Sequence, residues 1–265
     1  MAGAMAGRQK WLLHPGAKPL VFMLCLLPFG WLFYQAFSDQ LGANPAEALI
    51  RATGDWTLRF VCIMLAVTPL RVIGKTPALA RFRRMLGLFC YFYVVIHLLS
   101  YSWFDMGFDV ADIVKDIIKR PFILVGFSAF LLLTPLAATS FNAAIKAMGA
   151  KRWQLLHKLV YLIACLGILH FFWMRAGKND FNEVFVYAAI VAMLLGWRVW
   201  NHWSKRRQQV CAARRPLAPA EDAPAAPAQG SSSSRRKVSA ADSRARIKRA
   251  TSPSTSSSAA RPRVL

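Results

Sequence analysis

Three histidines stand inside long apolar runs of this chain. His97 lies in RRMLGLFCYFYVVIHLLSY, and His157 and His170 lie in RWQLLHKLVYLIACLGILHFFW. From 159 to 173 the sequence is apolar apart from the one imidazole, His170. An imidazole in such surroundings costs free energy unless something binds it, so an intramembrane histidine is a functional candidate by default. The bland alternative is a hydrogen bond to a neighbouring helix. Depth separates the two readings. His97 follows Arg84, the end of one basic loop, by thirteen residues, and His170 follows Arg152, the end of the next, by eighteen. One span separates their helices, so the two run in the same direction with both imidazoles in the outer half. Two neutral imidazoles facing each other from neighbouring helices form the axial pair of a low-spin b-type haem. No nearby carboxylates or thiolates supply a zinc or di-iron site. No CxxCH sequence offers covalent haem attachment.

His157 sits about 20 Å inward of His170 at ~1.5 Å per residue. The matching inner position on the third span, thirteen residues before His97, is Arg84, so an inner pair is incomplete. His157 stays a candidate for an inner ligand or a second haem. His14 and His202 fall outside the spans.

The elements that must position these residues are six apolar stretches, 19–37, 56–73, 85–103, 121–139, 154–173 and 183–200. Each is near the ~20 residues that cross a bilayer as a helix. The chain therefore reads as an all-α membrane protein. Residues 1–18 form an N-terminal segment, 19–203 a six-helix transmembrane bundle and 204–265 a tail. The first run is long, and the small-residue site AEA at 46–48 lies well beyond it, so it reads as a retained span. Five cysteines without paired spacing suggest neither a disulfide framework nor a zinc site. Residues 107–120 have helical apolar spacing and read as a short helix on the outer surface.

The chain is 56% hydrophobic yet carries a net charge of +22. The tail accounts for much of that, with fourteen Lys or Arg against three acids from 204 to 265. Its Ala, Pro and Ser content cannot bury enough surface to fold, so it reads as a disordered basic arm beside anionic lipid, with no nucleic-acid partner expected. Among the loops, GRQK, RVIGKTPALARFRR, KAMGAKRW and WSKRR are basic without acids, whereas the alternate loops mix both signs. That asymmetry places both termini in the cytoplasm. Six of the nine Trp fall near span ends, as interfacial anchors do.

The stretches TGDWTLRF, TPLR, RRMLGLFCYFYVVIHLLSY, RPFILVGFSAFLLLTPLAATS and RWQLLHKLVYLIACLGILHFFW resemble, in order, the MsrQ family over residues 10–200. These are the haem-binding membrane subunits of protein-methionine-sulfoxide reductase systems. The resemblance implies a bundle of ferric-reductase-like type. It implies haem b, with a second haem left open by Arg84, and FMN, for which no binding residues are readable. It implies electrons taken from the quinone pool or a cytosolic flavin reductase and passed to a periplasmic molybdenum-dependent reductase that repairs oxidised envelope proteins. The chain itself has no Gly-rich nucleotide loop after a strand, so it is expected to need partners on both sides.

Two other readings use the same residues. A ferric or cytochrome-b561-type reductase shares the core and differs in acceptor. A proton-coupled transporter would use the three histidines as a relay, but it calls for acids well inside the spans and for internal repeats, and neither is evident. Arg71, Arg84 and Arg152 lie on the cytoplasmic side, within reach of a propionate, a flavin phosphate or lipid; the positive-inside pattern accounts for them.

Overall fold

A helix starts at Pro45 because Asn44 caps it. The Asn44 side chain accepts a hydrogen bond from the Glu47 backbone N–H at 3.2 Å, and Pro45 takes the first helical position. In the computed structural model, which describes residues 2–177 and 179–213, that helix, α3, runs Pro45–Ile73. Before it come α1 (Ala2–Leu13) and α2 (Ala17–Phe37). A 3₁₀ turn (Pro77–Phe82) leads into α4 (Arg83–Phe104), followed by α5 (Val110–Lys119) and α6 (Pro121–Ala138). Then come α7 (Asn142–Met148), α8 (Ala150–Leu156), α9 (Leu159–Ala176) and α10 (Asn182–Ala213). Among the described residues there is no strand, and six helical stretches are long and apolar enough to cross a membrane.

Those six stretches contain the expected runs, apart from Thr139 at the end of the fourth, with three larger differences. The second begins at Pro45 and not near 56. Its first turns carry Glu47, Arg51, Asp55 and Arg59 at intervals of four, which lowers the apolar signal but stabilises a helix through i,i+4 pairs such as Glu47–Arg51. The sixth helix runs on to Ala213, ten residues into the expected tail, because SKRRQQVCAA holds no Gly or Pro. The rest of the tail, from 214, lies outside the described residues. The fifth span breaks at His157 and Lys158 between α8 and α9. His157 Nδ1 lies 3.0 Å from the Trp153 carbonyl that its own N–H also reaches, and Lys158 bonds back only three residues, to Leu155.

The helix expected over 107–120 is α5, started by Asp109, whose carboxylate accepts from the Ala111 and Asp112 N–H groups.

α3 packs most closely along α4, α6 along α9, and α10 against both α3 and α9. Phe60, Leu65, Phe89, Tyr93, Ile163 and Ala164 are buried between them. Leu27, Phe33, Leu131 and Met193 face outward, as lipid-facing side chains do.

Two inserted side chains repair helix backbones. Tyr93 donates its hydroxyl to Cys25 O at 2.9 Å and accepts from Phe29 N at 3.0 Å, bridging the two groups of one α2 turn beside Pro28. In α3, Pro69 has no N–H to give Leu65 O, and Arg198 of α10 supplies the donor instead at 2.6 Å.

Candidate functional site

At one end of the bundle the start of α3, the end of α4, α5, the start of α6 and the end of α9 surround a cavity of about 340 Å³. That volume lies within the range of ligand pockets. Its walls include Leu58, Val61, Val94, Phe127, Phe130, Leu133 and Ile163, and a polar end carries Glu47, Arg51, Asp55, Tyr101, Asp105 and Arg120. His97 from α4 and His170 from α9 both line it.

The two imidazoles meet with ring centroids 6.3 Å apart and planes at 77°. His97 Nδ1 lies 2.9 Å from Ile50 O, with Thr53 Oγ1 at 3.4 Å, and His170 Nδ1 lies 2.6 Å from Phe122 O. A carbonyl can only accept, so Nδ1 is the protonated nitrogen in each ring and Nε2 keeps its lone pair. Among the described residues neither Nε2 has a hydrogen-bond partner. This is how metal-binding histidines are usually held, one nitrogen fixed by a carbonyl and the other free to bind. A metal between two imidazole nitrogens at ~2 Å each sets the ring centroids ~6 Å apart, close to the spacing here.

Small residues make the close approach possible. Gly54 of α3 backs His97, where a Cβ would stand 3.0 Å from Cε1. Gly126 of α6 backs His170, where a Cβ would stand 2.7 Å from Nδ1. The polar end is closed by α5. Tyr101 donates to Asp116 at 2.7 Å, and Arg120 Nε bonds the same carboxylate at 2.8 Å. Burial pushes the Asp105 carboxyl up from its ordinary range, against the pull of Arg120, with Asp116 and Glu47 adding to the rise. The apolar walls suit a flat apolar macrocycle, and at the polar end Arg51 and Arg120, each also paired with a carboxylate (Glu47 and Asp116), are the cations within the lining.

The other candidates lie elsewhere. His157 stacks on Trp153 with centroids 4.0 Å apart, away from this cavity. Arg84, at the matching inner position of α4, bonds Asn142 Oδ1 at 2.7 Å. Arg71 and Arg152 do not line the cavity either.

The family model described as the ferric reductase like transmembrane component matches residues 53–168, a stretch that contains His97 and His157 and stops two residues short of His170. A protein of Polaromonas naphthalenivorans, the "protein-methionine-sulfoxide reductase heme-binding subunit MsrQ", is 88% identical over 210 residues, which cover 79% of this chain and 96% of that protein. The chain belongs to the MsrQ family. Proteins of the same name from Herminiimonas arsenicoxydans and Ralstonia nicotianae are 56% and 53% identical, each match covering 71% of this chain and 87% of the relative. No solved structure matches this chain.

In this MsrQ-family chain the structure adds residues that sequence reasoning missed. Thr53, Gly54 and Asp55 belong to TGDW, ahead of the expected second span, and all stand at the site, Thr53 and Gly54 against His97 and Asp55 on the cavity wall. Gly126 stands inside an apolar helix, and a lone helical Gly was the available signal that something approaches closely there.

Proposed function

We propose that this chain is the haem-binding membrane subunit of a protein-methionine-sulfoxide reductase and that His97 and His170 hold one b-type haem between them. It takes electrons from the quinone pool or a cytosolic flavin reductase. It passes them to a periplasmic molybdenum-dependent catalytic subunit that repairs oxidised envelope proteins. The names of the relatives support the haem and the reductase. The observation that carries the ligand assignment is the pair of Nε2 atoms left free on facing rings while both Nδ1 atoms are tied to carbonyls.

Bound haem supplies a one-electron carrier within the membrane. The protein residues do the rest. Ile50 and Phe122 carbonyls orient the rings, Gly54 and Gly126 give them room, and Phe127, Phe130 and Leu133 keep the cavity apolar. Arg51 and Arg120, which also pair with Glu47 and Asp116, are the cations that would meet the carboxylates of the bound group. His97 lies seven residues from the end of α4 and His170 six from the end of α9, about 10 Å by helical rise, so electrons leave at that face over a short distance. The basic loops at the opposite end support an inner-membrane protein with both termini cytoplasmic and this face periplasmic. FMN enters only through the family, and no residue is assigned to it. Among the described residues His157 stacks on Trp153 and no second histidine ring faces it.

The test is the reduced-minus-oxidised spectrum of the detergent-purified protein. A low-spin b-type band is expected in the wild type, and at least a tenfold loss of haem in His97→Ala and in His170→Ala. An unchanged low-spin spectrum in either variant refutes the assignment. A ferric or cytochrome-b561-type reductase remains the second reading, favoured by the ferric-reductase-like match. Co-purification of a periplasmic reductase supports the first; ferric-chelate reduction without such a partner supports the second.

A further inference from the structure

The charged ladder on α3 contains two members that the ion pairs leave out, Asp55 and Arg59, and only Asp55 lines the cavity. Glu47, Arg51, Asp55 and Arg59 follow at intervals of four, ~6 Å of rise apart, on one side of the helix. Glu47 pairs with Arg51. Arg59 donates Nε to the Tyr187 hydroxyl at 3.1 Å and lies over the Trp56 ring. Arg175 of α9 is taken by Asp180 at 3.2 Å and Glu183 at 2.6 Å. Asp55 has no ion pair among the described residues, although it is part-buried, lines the cavity and follows Gly54, which touches His97.

The charges that act on Asp55 come from every neighbouring element. Arg51 and Arg59 stand on its own helix, Arg175 on α9 and Glu183 on α10. Across the cavity are Tyr101 and Asp105 at the end of α4 and Arg120 at the start of α6. Counting the charged groups that line the cavity, those that act on Asp55 and their ion-pair partners, the guanidiniums of Arg51, Arg59, Arg120 and Arg175 stand against the carboxylates of Glu47, Asp55, Asp105, Asp116, Asp180 and Glu183, two negative charges in excess. An electron entering the cavity adds a further negative charge where the dielectric is low and like charges repel strongly. A proton relieves it. Asp55 is the carboxylate best placed to take that proton: Glu47, Asp116, Asp180 and Glu183 each bind a guanidinium, and Asp105 is exposed at the end of α4, whereas Asp55 is part-buried on the cavity wall.

We infer that Asp55 is a proton-binding site coupled to the redox state of the cavity. When one electron enters, the Asp55 carboxylate takes one proton from the aqueous face at the start of α3, along the side of the helix that carries Glu47 and Arg51. An O–H bond forms on Asp55 and charge is balanced. When the electron leaves, that bond breaks and the proton returns to water. The electron source is the one-electron donor of the cavity, replaced by dithionite in the test. The inference rests on the reading of the cavity as a haem site.

The experiment is a spectroscopic redox titration of the haem-loaded full-length protein at a series of pH values. The wild-type midpoint potential is expected to fall with rising pH by up to ~59 mV per tenfold change in proton concentration over one interval. Asp55→Asn should bind haem with the same low-spin spectrum and lose that slope, and Asp55→Glu should keep it. A wild-type potential independent of pH, or a full slope in Asp55→Asn, overturns the inference while the haem reading stands. The reduced-minus-oxidised infrared spectrum of the wild type decides the matter even where Asp55→Asn does not fold. A carboxylic-acid C=O band that rises on reduction and shifts in heavy water supports the site; its absence overturns it. A wild type that binds no haem overturns both readings.

Discussion

Gly126→Ala is the sharpest perturbation of the site, because it adds one methyl group and no charge. An ideal Cβ there stands 2.7 Å from His170 Nδ1, 2.8 Å from Cε1 and 3.2 Å from Cγ. Ordinary contact needs ~3.4 Å or more, so the ring or α6 must move by roughly 0.7 Å, and overpacking of this kind costs ~1–3 kcal/mol. The shift strikes the bond that orients the ring, Nδ1 to Phe122 O at 2.6 Å. Metal–ligand distances tolerate only ~0.2 Å, and loss of a ligand's supporting bond typically costs 10–100-fold in metal affinity. Haem affinity of the purified apoprotein, measured by titration of the low-spin absorbance, should therefore fall ~10–100-fold. Gly54→Ala, where the nearest His97 atom is at 3.0 Å, should fall less. Gly196→Ala, with nothing within 4 Å, should match the wild type. Equal affinities for Gly126→Ala and Gly196→Ala would refute the claim that α6 holds His170 in place.

Three further outcomes are expected. His157→Ala should retain the low-spin spectrum, since its ring packs on Trp153 outside the cavity; complete haem loss there would reassign the ligand pair. Tyr101→Phe removes the bond to Asp116, worth ~1.5–3 kcal/mol for a charged acceptor, and hydrogen exchange of α5 amides should quicken while the α9 amides stay protected. Alkaline phosphatase fused after Trp203 should be inactive and fused near Asp109 active, and the reverse would invert the topology.

That His97 and His170 meet was legible because ionisable groups inside apolar runs are few, and counting residues from the basic loops put both toward the same end of the bundle. Other features were hidden for physical reasons. The start of α3 was missed because Glu47, Arg51 and Asp55 depress hydropathy in the turns that reach the site. Asp55 consequently looked like a loop residue rather than part of the cavity wall. The break at His157 has no Gly or Pro to announce it; it arises from the ring that lies on Trp153 and shares its carbonyl. The role of Gly126 depends on which helix lies beside α9, and that is a property of packing between segments far apart in the chain.

The bond from Arg198 to Leu65 O spans 133 positions of sequence. Spans enter the bilayer in the order of synthesis, so the second stands with one carbonyl unmatched until the last arrives. Arg198 thus serves as a completion signal. A chain truncated by a premature stop before α10 retains His97 and His170 yet leaves that carbonyl open in hydrocarbon, where an unmet polar group costs several kcal/mol. Such fragments should be the ones that membrane quality-control proteases remove first.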